Sequence, residues 1–318
     1  MFQFIYWLKA IAAVFITNSH YADIWPVSAM AAGGHLGNCL FFLVSGFCLC
    51  TIRDSFPRWY LKRIIRIYPA LWIAIAMNLL LGIFSIHSFS GFVHCFFYPT
   101  RYHFVASIMI LYALFYLIRK LQNRCKIDTH WVLLATLVLC AIVYIFFFDR
   151  SRYHIDNVEE NWVRFQFWLS MMLGVTLREK YDTIKKTISP AEWAGTAILF
   201  VGYFAGKVLV SRYAALSNVQ FLSPMLLIML VWQISRIFIK LEKRGILESA
   251  GKWNWLVEFL ASLTLEIYLV QNVIIHHLST LPFPVNFIVV TGLILVAAWA
   301  VHQIASWLQK KCTILMKL

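Results

Sequence analysis

The sequence predicts an all-α, polytopic membrane bundle of about ten transmembrane helices with both termini in the cytoplasm. Three observations carry that prediction. The 318 residues are 61% hydrophobic and only 13% charged, with a mean hydropathy of +0.74. Charged residues approach a quarter of an ordinary soluble chain. Apolar runs of about 17 to 22 residues recur, the length a hydrocarbon core requires. They are continuously apolar rather than alternating, which argues against a barrel. The third observation is where the basic residues fall.

The runs place spans at about 4–22, 36–52, 67–86, 104–118, 131–148, 163–177, 191–210, 219–235, 255–275 and 285–307. One alternating set of connections holds Arg53, Arg58, Lys62, Arg63 and Arg66, then Arg119, Lys120, Arg124 and Lys126, then Arg178, Lys180, Lys185 and Lys186. The set continues with Arg236, Lys240, Lys243, Arg244 and Lys252 and ends with Lys310, Lys311 and Lys317. Those are 21 of the 28 basic residues. The other set holds few: Arg101, Arg150, Arg152 and Arg212, with Arg164 near the start of a span. This asymmetry is the positive-inside pattern. The net charge of +14 is therefore a topology signal first, and nucleic acid is not an expected partner.

Seven cysteines, mostly within spans and without a CxxC pair, support neither a disulfide framework nor a zinc site. The first apolar run follows no basic region and is interrupted by Lys9, so it reads as a span rather than a cleavable signal. Short loops and the lack of a linker indicate one membrane domain, 1–318.

Lys9 and His20 are the only ionisable side chains of the first span apart from tyrosines. Eleven positions at 100° per residue put them on one helical face, roughly 16 Å apart along the axis. Ionisable groups at membrane depth usually face a bundle interior or a wet cavity. The plainer alternative is a snorkelling lysine and an interfacial histidine. Asp23 orients the imidazole if the helix continues, and is a loop acid if it ends at Tyr21. Gly34 and Gly37, ahead of Ser45-Gly46-Phe47, suit close helix packing or leave N–H groups free for an anion. Arg63 and Arg66 are i, i+3 neighbours at a membrane boundary. Their forked donors suit phosphate, whether of a soluble ligand or of lipid headgroups.

At these residues the chain resembles acyltransferase family 3, integral-membrane O-acyltransferases of bacterial surface glycans. That family carries Arg-x10-His in its first span, a G-x-x-G-x-x-x-F-F-x-x-S-G-F run and R-x-x-R before I-x-P. The counterparts here are Lys9 and His20, Gly34 through Phe47, and Arg63, Arg66, Ile67 and Pro69. A later echo is Ser262 through Leu269, which includes Glu266 and Tyr268. Lysine replaces arginine at position 9, Gln271 stands where many relatives have histidine, and Arg164 lacks the glutamate that often follows it.

The resemblance implies transfer of an acyl group, acetyl by expectation, from cytoplasmic acyl-CoA to a hydroxyl of a cell-surface or lipid-linked glycan. It implies His20 as general base, Lys9 as stabiliser of the thioester end of the donor or of the developing oxyanion, and Arg63 and Arg66 on the CoA phosphates; Asp23, by its spacing from His20 alone, is the third catalytic candidate. Gly34, Gly37, Ser45, Arg164, Glu266 and Tyr268 are further candidates to line the site. The expected partners are acetyl-CoA as co-substrate, the glycan acceptor and the bilayer of the bacterial cytoplasmic membrane. No permanently bound cofactor and no metal is expected. The competing class is a transporter or flippase for a lipid-linked glycan, using the same intramembrane charges for binding.

Overall fold

The computed structural model describes residues 2–157, 161–278 and 281–316. Twelve α-helices and no strands occur among them. The helices are α1 (Gln3–Ser19), α2 (Gly34–Leu49), α3 (Phe56–Leu80), α4 (Phe89–Phe96), α5 (His103–Cys125) and α6 (Thr129–Phe146). Then follow α7 (Trp162–Glu179), α8 (Pro190–Arg212), α9 (Leu222–Lys243), α10 (Lys252–Ser262), α11 (Thr264–Leu278) and α12 (Val285–Leu315).

Every predicted span falls on a helix, with informative differences. Among the described residues seven helices are long and apolar enough to cross a membrane, or eight if α10 and α11 form one bent span. The remaining two are α1 and α7. The first has only 17 residues, about 26 Å of rise, and contains Lys9. The other carries Arg164, Arg178 and Glu179. The predicted span at 255–275 is two helices meeting at 70°. Glu258 on α10 and Glu266 on α11 therefore stand on different helices. α3 begins at Phe56, well before the predicted 67, because Pro57 suits a helical first turn and the basic residues that follow are good helix formers. Lys317 lies outside the described residues.

The chain forms two compact units. Unit 1 comprises the residues up to Lys9, Asn38–Thr51 and Leu117–Leu256; unit 2 comprises Ala10–Gly37, Ile52–Tyr116 and the residues from Val257 onward. In unit 1, α8 packs on α9, and α7 packs on both α6 and α9. α2 meets α7 backbone to backbone: a methyl group on Gly46 would lie 1.9 Å from the Met171 carbonyl oxygen, and one on Gly174 would lie 2.0 Å from that of Leu43. In unit 2, α3, α11 and α12 pack on one another, and α4 rests against α3.

Candidate active site

α1 starts in unit 1 under the control of a carboxylate. Glu242 Oε2 accepts the Phe4 N–H at 2.6 Å, and its other oxygen accepts the Tyr181 hydroxyl at 2.6 Å. A carboxylate at a helix N-terminus satisfies an otherwise orphaned donor and complements the dipole. Burial, reinforced by Glu242, pushes the Tyr181 phenol well above its ordinary range, so it stays a donor. Lys9 lies about a turn and a half further on and is half-buried. Its charge, with that of Arg178, acts on Cys48 of α2. Ser45 is buried on α2, and Arg164 donates to Asn161 Oδ1 at 2.8 Å in the first turn of α7.

The other end of α1 belongs to unit 2. The helix stops at Ser19, where the His20 N–H bonds to the Thr17 carbonyl in a tighter turn. His20 and Asp23 are exposed loop residues, which settles Asp23 as a loop acid. The loop itself is firmly held. Asn18 Nδ2 donates to the Met30 and Ala32 carbonyls at 2.8 and 2.9 Å, and its Oδ1 accepts Trp25 Nε1 at 2.9 Å. From α12, Thr291 meets the Tyr21 hydroxyl at 2.9 Å, and Asn286 donates to the Ile24 carbonyl at 2.9 Å. Gly34 and Gly37 serve close packing here. A methyl group on Gly37 would come within 2.6 Å of the Ala12 carbonyl oxygen, and one on Gly34 within 2.3 Å of Ser19 Oγ.

Arg63 and Arg66 stand on α3 rather than before it. The Arg63 guanidinium lies over the Trp59 ring at 4.6 Å, half-buried, while Arg66 is exposed. The Arg66 carbonyl accepts Gln309 Nε2 of α12 at 3.1 Å. Thr291 and Gln309 are eighteen positions apart on α12, about 27 Å at 1.5 Å per residue. That is close to a hydrocarbon thickness. Unit 2 thus displays an imidazole beside one end of α12 and a guanidinium pair beside the other.

Glu266 lies between these ends. Its Oε1 is 2.9 Å from His302 Nδ1, and His302 Nε2 is 3.3 Å from Ser306 Oγ. A carboxylate orienting an imidazole whose second nitrogen meets a hydroxyl is an arrangement able to move a proton. Sequence reasoning named Glu266 but neither His302 nor Ser306, whose only signal was an i, i+4 spacing in the last span. Tyr268 has a packing role: its hydroxyl accepts the Phe104 N–H at 3.3 Å, and its ring sits 5.3 Å from that of Phe104. Gln271 is fully buried. A cavity of about 390 Å³ in unit 2 is lined by Phe84, Ser85, His94, Thr100 and Arg101 among others. Among the described residues no group of three or more His, Cys, Asp or Glu side chains is arranged to hold a metal.

Comparison with protein families finds a match over residues 2–303, nearly the whole chain, to the family described as an acyltransferase domain, acyltransferase family 3. Comparison with curated proteins and with solved structures finds no match.

Proposed function

The chain belongs to acyltransferase family 3 and is a multi-pass membrane acyltransferase; from that premise we propose that it moves an acyl group, acetyl by preference, from acyl-CoA to a hydroxyl of a cell-surface or lipid-linked glycan. The setting is the bacterial cytoplasmic membrane with both termini inside, the orientation that the basic loops favour. The observation that carries this reading is the way unit 2 presents His20. An exposed imidazole stands on a loop fixed by Asn18, Tyr21 and Asn286, about 27 Å along α12 from the Arg63–Arg66 pair.

In this mechanism Arg63 and Arg66 hold the donor phosphates at the cytoplasmic end by forked, charge-assisted hydrogen bonds. The acceptor hydroxyl approaches His20, whose neutral imidazole takes its proton as the oxygen attacks the thioester carbonyl. Lys9, eleven residues before His20 and roughly 16 Å from it, does not reach the attacked carbonyl; its role is to offer positive charge to the donor's thioester arm further along α1. The C–S bond then breaks, and the thiolate takes up the proton as free CoA. Fixing the loop matters because a displacement of about 1 Å at a base is enough to lose most of its effect.

The test uses the purified protein in nanodiscs with labelled acetyl-CoA and a lipid-linked glycan. Label should move to the glycan in wild type and not in His20→Ala. A carrier would move the glycan across the bilayer and leave acetyl-CoA unconsumed, which would overturn the proposal. Labelling of single cysteines at 120 and 243 checks the orientation, because access from outside at either position contradicts it.

A further inference from the structure

A second cavity lies away from the residues just discussed, wholly within unit 1. It has a volume of about 600 Å³, inside the range of small-molecule sites. Its walls are the segment after α7, the first turn of α8 and one face of α9. Four cations line it, Lys180, Lys185, Arg236 and Lys240, against one carboxylate, Glu192.

The carboxylate is already engaged. One Glu192 oxygen accepts the Ser189 N–H at 3.0 Å in a capping box that starts α8. The other receives the buried Lys240 ammonium and lies 3.8 Å from Arg236. Lys180 Nζ sits 3.0 Å from His130 Nε2, an imidazole that carries no negative charge in either protonation state and so leaves the lysine's charge uncancelled. Lys185 has no ion pair among the described residues. The cavity therefore keeps a positive excess that no side chain in it cancels. Thr187 adds a hydroxyl and Trp232 an aromatic surface.

The wall carrying Lys185 is held in place before any ligand arrives. Lys243 Nζ donates to the Ile184 carbonyl at 2.9 Å and also to that of Tyr181, while Arg244 Nε donates to the Lys186 carbonyl at 2.7 Å. These cations bind backbone and brace the segment from α9, and the lining cations remain for something else. A concave, braced, electropositive site with hydroxyl and indole groups matches an organic phosphate.

We propose that this cavity is a phosphate-binding site of unit 1, with Lys180 and Lys185 as the phosphate contacts and Trp232 as an aromatic wall. The chemistry is a phosphate mono- or diester on an organic group. Its two available sources are the nucleotide end of a CoA ester and the headgroup of an anionic phospholipid. The first source rests on the acyl-CoA reading of the preceding section and would place the donor's nucleotide phosphates here instead of at Arg63 and Arg66, so an unchanged donor KM in Arg63→Gln/Arg66→Gln goes with it; the second source leaves the donor phosphates at Arg63 and Arg66.

The test measures protection of Lys180 and Lys185 from an amine-reactive reagent, read by mass spectrometry on the full chain in nanodiscs. One arm adds CoA to discs of phosphatidylcholine, and another replaces part of that lipid with phosphatidylglycerol and omits CoA. Protection by CoA, with donor KM raised about tenfold or more in Lys180→Gln/Lys185→Gln and also raised in Trp232→Leu, assigns the nucleotide source. Protection by phosphatidylglycerol alone, unaffected by Trp232→Leu, assigns the lipid source. Protection by neither, in protein that still transfers acetyl from acetyl-CoA with unchanged donor KM in the double variant, overturns the inference and leaves the acyltransferase reading intact. If wild type consumes no acetyl-CoA while phosphatidylglycerol protects both lysines, the acyltransferase reading fails and the phosphate site stands.

Discussion

At the Thr291 end of α12, unit 2 fixes a loop with uncharged hydrogen bonds, whereas at the Gln309 end it displays guanidinium groups on a helix. On the proposed mechanism the two solutions answer different demands. A base must sit in one place, and a loop can hold it only if its backbone carbonyls find donors, which Asn18 and Asn286 supply. A phosphate anchor needs charge and reach more than a fixed atom, and an exposed arginine on a regular helix provides both. Changes at the loop end should therefore act on the rate of transfer, and changes at the helix end on donor affinity.

The largest expected effect is at the loop end. His20→Ala should lower kcat by about 10²–10⁴-fold, the usual cost of losing a general base, while equilibrium binding of acyl-CoA stays near wild type. Kinetics with saturating donor and a binding isotherm for a non-reactive CoA analogue measure the two quantities. Equal loss of rate and donor binding would erase the distinction between the ends.

The complementary change is Arg63→Gln with Arg66→Gln. Each charge-assisted contact contributes about 1.5–3 kcal/mol, so donor KM should rise tenfold or more with acceptor KM nearly unchanged. Because Arg63 is half-buried over Trp59, its single variant should have more effect on stability than that of exposed Arg66. An unchanged donor KM in well-folded protein would return the pair to anchoring lipid headgroups.

Asn18→Ala tests whether the loop end works through rigidity. It removes three hydrogen bonds from the 18–32 segment, each with a net worth of about 0.5–1.5 kcal/mol. The loss in thermal stability should be moderate, and kcat should fall several-fold because His20 is no longer held, with donor KM untouched. A variant that melts earlier yet turns over normally would show that the loop geometry has no catalytic part.

How far the sequence discloses this comparison differs between the two ends. Arg63 and Arg66 were legible because charge, spacing and a membrane boundary coincide in one short segment. Asn18 was not, since a single asparagine near a helix end matches no motif and its partners are carbonyls 12 and 14 positions away. Glu266 was recognisably deep, but its partner His302 is 36 positions distant on another helix, and local periodicity does not report such pairings. The break between α10 and α11 at Leu263 had no proline or glycine to announce it. The contrast between α7 and α8 was equally hidden. Thirteen of the 18 residues of α7 are buried, while Tyr203 and Val210 are the buried residues of the 23 in α8. Lipid and protein interior are both apolar, so a hydrophobic run does not reveal which one covers it.

The smallest expected effect lies at the start of α3, in the ion pair between Lys62 and Asp54 at 2.7 Å. Asp54 is fixed ahead of the helix that carries Arg63 and Arg66, and the hydrogen bond from Lys62 holds its carboxyl below the usual carboxylate range. The sign of the pH effect follows from that lowering. A folded-state pKa below the unfolded one means the contribution is fully present above the unfolded value and is lost as pH falls through the folded one. Asp54→Asn should therefore leave the melting temperature and donor KM near wild type at neutral pH, because exposed pairs contribute little. Wild type and variant should converge as acid protonates Asp54, below its ordinary value near 3.8. If Asp54→Asn instead raised donor KM at neutral pH, the pair would be positioning the start of α3 for Arg63. The helix end would then depend on fixed geometry as the loop end does, and the contrast between them would shrink.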